Sequence, residues 1–162
     1  MCIRDSDRSA EMLAVAQRRI DREGWGDRVR LIESDAAELQ PEAVTRTVTE
    51  LRGGGDGRAD ALLATYSLSV ITEREEAWRR ARACLRPGAR ACIVDMQPPH
   101  GFWRVLSPLA RLACATGGAD ISARPWRMLE RDAVDPASVR RVERKGGHIV
   151  AVVATVDGGS PL

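Results

Sequence analysis

Residues 59–95 read ADALLATYSLSVITEREEAWRRARACLRPGARACIVD. The stretch opens as a continuous apolar strand, the kind expected when both faces of a sheet are covered. Thr72 and Glu75 have the spacing of a capping box, so EREEAWRRARACL is predicted to be a helix, closed by Pro87-Gly88. ARACIVD (89–95) is the next buried strand, and it ends in an acid. Strand, helix and strand in that order predict a parallel unit with the helix as its crossover.

The same alternation extends upstream. Ser9 is a good N-cap, and Met12, Leu13, Ala16 and Ile20 recur at helical spacing until Gly24. RVRLIE (28–33) reads as a short buried strand leading to Asp35. Pro41 suits the first turn of a helix through Leu51, with Val44, Val48 and Leu51 on one face. A loop, RGGGDGR, follows. The order predicts an α/β fold: a doubly wound, mainly parallel sheet with helices on both faces. Downstream the pattern changes. GFWRVLSPLARLACATGG and RPWRMLERD are predicted helices, and SVRRVER and HIVAVVATV flank Lys145-Gly146-Gly147 as a C-terminal antiparallel hairpin. DGGSPL (157–162) is expected to be a disordered tail.

Composition narrows the partners. The chain has 162 residues, 44% hydrophobic and 30% charged, with a net charge of +2. That charge is too small to imply nucleic acid or an acidic membrane as a partner. No apolar run approaches the ~18 residues of a membrane span, and no signal core opens the chain, so stable membrane insertion is not expected and the cytoplasm is the default. Cys84, Cys92 and Cys114 lie among apolar residues, as small core side chains do in a reducing compartment. No C-x-x-C pair accompanies His100 or His148, so no metal site is expected.

Ligands of open parallel sheets bind beyond the carboxyl ends of the strands. Asp7, Asp35 and the Thr65-Tyr66-Ser67 step all fall at such ends. A carboxylate there can accept both hydroxyls of a ribose, and a second acid can accept from an adenine amine. GGGDG (53–57) imitates a phosphate loop, but it follows the polar TRTVTELR and precedes a strand, the reverse of the required context. It is read as a surface loop.

The motifs together resemble class I S-adenosylmethionine-dependent methyltransferases. DRSAEMLAVAQRRI is similar to the D-x-S-x-x-M-L segment after their second strand. DRVRLIESDAAEL resembles the third strand with its trailing G/S-D-A. Residues 59–95 resemble the fourth strand, its helix, and the L-[KR]-P-G-G turn into strand five, with Ala89 in place of the last glycine. The resemblance covers Asp7 to Val156. It implies a Rossmann-like domain over residues 7–156 with S-adenosylmethionine as cofactor. Asp7 would bind the ribose, Asp35 the adenine amine and Ala36 the ring through its N–H, while Met12 would pack on the adenine face. Tyr66 and Ser67 would lie beside the methionyl end and the acceptor.

The family's acid-bearing strand and G-x-G-x-G loop should precede Asp7, and they are absent from the sequence. The expectation is therefore a partial domain, its first two strands missing and only the last residue of strand two present. Such a chain would hold S-adenosylmethionine poorly and be inactive as given. Back-translated, MCIRDS gives ATG TGT ATA AGA GAC AGY, resembling the transposon end used to prepare sequencing libraries. Residues 1–6 are accordingly expected to be a non-native leader, with no role for Cys2.

Methyl transfer from a sulfonium is an in-line displacement that needs alignment and desolvation. Tyr66 and His100, in QPPHGFW, are the candidate catalytic residues. The apolar segment 101–116 places Trp103, Leu106, Leu109, Ala110 and Ala113 on about one face. It is read as packed on the sheet edge, with a lid over the acceptor or a membrane-surface contact as alternatives. With YSLSVI and RPW it resembles lipid-amine and quinone-type methyltransferases, implying a small-molecule or lipid acceptor. Two other functions fit the alternation: a non-catalytic Rossmann-like module, and a nicotinamide-dependent reductase fragment. The reductase requires Lys four residues after Tyr, and Val70 stands there.

Overall fold

The stretch without visible pattern at the amino end forms a strand. Ile3–Asp7 is β1, paired in parallel with β2 (Val29–Glu33) from Ile3↔Val29 to Asp7↔Glu33. This corrects the expectation that only Asp7 remains of that strand. Pairing uses main-chain groups alone, so IRDSD needs no apolar alternation to join a ladder, and most of its side chains are exposed. The crossover is α1 (Ala10–Glu23), capped by the Ser9 hydroxyl, which accepts the Met12 N–H at 3.2 Å, and ended by left-handed Gly24.

The computed structural model describes residues 3–159, with backbone alone for Leu106, Leu109, Ala110, Ala113 and Ala115. Cys2, the residues of the tail beyond Gly159 and the predicted apolar face through Leu109 therefore lie outside what is described. The chain divides into two units: one holds the residues up to Asp60, Glu76–Arg86 and the segment from Gly158; the other holds Ala61–Glu75 and Pro87–Asp157.

In the first unit, α2 (Pro41–Arg52) begins with proline in its first turn, as predicted. Its Val44 and Val48 pack with Leu39 and Cys84 into a small core. The RGGGDGR loop is mostly exposed, yet Gly57 is buried: a Cβ there would lie 2.2 Å from the Thr45 carbonyl oxygen. Only glycine permits that approach. Helix α3 (Arg74–Ala83) starts two residues past Thr72, so the predicted capping box does not form; Thr72 lies in the preceding turn. The helix also stops earlier than Pro87-Gly88, because the buried Leu85 already enters the sheet.

The second sheet runs β3-β4-β6-β5, from β3 (Ala59–Thr65) and β4 (Leu85–Met96) to β6 (Ile149–Val156) and β5 (Arg140–Arg144). Strands β4, β6 and β5 are antiparallel, so the predicted hairpin is present. Short α4 (Ser107–Thr116) follows a 3₁₀ stretch, and α5 (Trp126–Arg131) packs on β6. Trp126, Leu129, Val150, Val152 and Val156 are almost wholly buried there. Asp157 accepts the Gly88 N–H at 3.3 Å.

Candidate functional site

The first unit brings four expected residues to one end of the parallel pair. Asp7 is the last residue of β1, and the Ser34 N–H donates to its carbonyl at 3.0 Å, carrying the ladder past Glu33. The chain then turns over the Asp7 side chain, whose Oδ1 accepts the Ser9 N–H at 2.8 Å. Asp35 makes the same kind of turn beyond β2: its Oδ1 accepts the Ala37 N–H at 2.8 Å and caps a 3₁₀ turn that begins at Ala36. The Arg8 guanidinium lies 3.3 Å from Asp35 Oδ2. Both carboxylates thus sit at the carboxyl end of the pair, Asp7 as the last residue of β1 and Asp35 two residues past β2. Met12, in the first turn of α1, is 58% exposed there.

In the second unit Tyr66 and Ser67 follow β3. Tyr66 has φ of 52°, a left-handed conformation that bulky residues seldom adopt, and is held by its N–H on the Val94 carbonyl at 2.8 Å. Non-glycine residues in such strain cluster at functional sites. Its side chain is 46% exposed. The loop behind it is fixed by Asp95, the acid that ends ARACIVD. Asp95 is fully buried and accepts from Ser69 N–H at 3.1 Å and Met96 N–H at 2.8 Å. The sequence marks Asp95 only as a strand-ending acid; its partner lies 26 positions away.

His100 is held elsewhere, against the hairpin. Its N–H donates to Gly146 O at 3.0 Å, and its Nε2 lies 2.7 Å from Glu143 Oε2. That hydrogen bond, with a second from Arg141, holds the Glu143 carboxyl below its ordinary range. Among the described residues no group of His, Cys, Asp and Glu side chains is arranged to hold a metal ion. A cavity of about 530 Å³ lies along α2, lined by Glu42, Thr45, Arg46, Thr49, Asp56 and Arg58 among others. It includes neither Asp7 nor Asp35.

No protein-family model and no curated protein sequence matches the chain. Solved structures do. The citrinin polyketide synthase CMeT domain superimposes with a TM-score of 0.63 at 14% identity, over 98% of this chain and 39% of that one. A possible exported protein from Bordetella parapertussis gives 0.61 at 18% identity, over 96% and 53%. An O-methyltransferase family protein from Burkholderia thailandensis gives 0.59 at 19% identity, over 98% and 44%. The chain thus spans about half the length of these proteins. Most such neighbours are S-adenosylmethionine-dependent methyltransferases, and the chain has their class I, Rossmann-like α/β fold.

Proposed function

We propose that the chain supplies part of the cofactor- and acceptor-binding surface of a methyltransferase that uses S-adenosylmethionine and acts on a small-molecule or lipid acceptor. The placement of Asp7 and Asp35 at one end of a parallel strand pair carries this reading. The donor set fits a nucleoside: two acid side chains and an exposed thioether in the first helical turn offer acceptors to hydroxyls and amine and an apolar contact to a ring. The cofactor, when bound, would supply a methyl group that bonds in line to the acceptor's nucleophile as the carbon–sulfur bond breaks and neutral S-adenosylhomocysteine leaves. Asp7 then holds the ribose, Asp35 and the Ala36 N–H the adenine edge, and Met12 covers the ring. Tyr66 and Ser67 orient the acceptor from the strained turn after β3. His100, with Nε2 on Glu143, would take a proton through Nδ1.

Saturation-transfer NMR with S-adenosylhomocysteine, using the reduced nicotinamide cofactor as competitor, tests the proposal. Transfer to the adenine and ribose protons, removed by Asp7→Asn, is the expected result. Transfer to the nicotinamide ring instead favours the reductase reading. No transfer to either ligand favours a non-catalytic module.

A further inference from the structure

The second unit carries an exposed surface outside the residues assigned to the cofactor and acceptor. Between Met96 and Ala119 the sequence has no acidic residue, but it has Arg104 and Arg111. In the structure this segment leaves large apolar side chains in water: Phe102 is 87% exposed, Val105 74%, Leu112 64% and Trp103 52%. Single exposed apolar residues are ordinary, but here four crowd into eleven positions, with Phe102 and Trp103 in contact. Arg104 and Arg111 stand among them, so the cations are local although the net charge is only +2. Contiguous apolar surface of this kind marks interaction sites.

The patch is presented on a fixed base. The His100 N–H is bonded to Gly146 O, and the Ser107 hydroxyl donates to Pro99 O at 3.3 Å. Trp103 lies against Gly146, where a Cβ would come within 2.4 Å of its ring, and meets Phe102 edge to face with centroids 6.1 Å apart. The same hairpin turn contributes exposed Arg144 and Lys145. Aromatic tips rimmed by cations match the boundary of an anionic bilayer: Phe and Trp enter the acyl edge while arginines stay among the headgroups. An acidic protein partner would need a matching apolar groove to cover Phe102 and Val105, whereas the edge of a bilayer offers one everywhere.

We infer that residues 101–112, with the 144–145 turn, dock this protein on anionic membrane surfaces. The inference stands apart from the methyl-donor site. Vesicle flotation of the full chain tests it, with phosphatidylcholine alone against phosphatidylcholine carrying about 30 mol% phosphatidylglycerol. The chain is expected to float with the anionic vesicles, and binding is expected to weaken as salt rises to about 0.5 M. The exposed double variants Phe102→Ser/Val105→Ser and Arg104→Glu/Arg111→Glu should each reduce bound protein by about tenfold or more while circular dichroism is unchanged. No flotation, equal flotation with both vesicles, or binding indifferent to either variant would overturn the inference. So would self-association in the ultracentrifuge that Phe102→Ser abolishes in the absence of vesicle binding; it would assign the patch to a second copy of the chain.

Discussion

The buried Asp95 carboxyl accepts the Ser69 N–H at 3.1 Å, tying the end of β4 to the loop that follows Tyr66. Its other oxygen accepts the Met96 N–H. Replacing Asp95 by alanine strands two donors in a site without water access. The expected cost is about 2–4 kcal/mol in chemical denaturation, with Asp95→Asn milder because one acceptor oxygen is kept. An Asp95→Ala variant within ~0.5 kcal/mol of the parent would show that the loop is held by other contacts.

Gly147 and Gly118 share a left-handed φ, 79° and 73°, but differ in their surroundings. A Cβ at Gly147 would fall 2.1 Å from His100 Nε2, whereas one at Gly118 meets nothing within 4 Å. Gly118→Ala should therefore cost only the conformational strain, about 1 kcal/mol. Gly147→Ala should cost roughly 1 kcal/mol more and raise hydrogen exchange at the His100 amide, as the imidazole is driven off Glu143. Equal losses in the two variants would refute the close contact.

How far these features were legible depended on range. The hairpin, the Pro41 helix start and the Ser9 cap are set by neighbours in sequence, and each appears where the residues predict it. Asp7 and Asp35 were readable because one ends its strand and the other follows two residues after its own. β1 was not, since IRDSD is a solvated strand held through its main chain. The roles of Asp95 and Glu143 were equally hidden, because their partners lie 26 and 43 positions away and no local pattern couples them. The start of β4 at Leu85 reflects a tertiary demand, the burial of that leucine, overriding the Pro87-Gly88 stop signal.

Cys84 gives a pH signature. Burial among Leu39, Val44 and Val48 pushes its thiol from 9.0 up to about 11. A pKa raised in the folded state stabilises fully below the unfolded value and ceases to do so as pH climbs through the folded one. Stability should accordingly fall between about pH 9 and about pH 11, and Cys84→Ala should flatten that part of the curve. At about pH 8, iodoacetamide should label Cys84 far more slowly in the native chain than in denaturant. Equal labelling rates would contradict its burial.

The most direct measurement is a nitrogen-15 NMR titration of the chain with S-adenosylhomocysteine, repeated on Asp7→Asn and Asp35→Asn. Saturable shifts are expected at the Ser9, Met12, Ala36 and Ala37 amides, with affinity weaker than micromolar and a loss of about tenfold in each variant. If those amides stay still at millimolar ligand, or shift undiminished in both variants, the two carboxylates do not frame a nucleoside site.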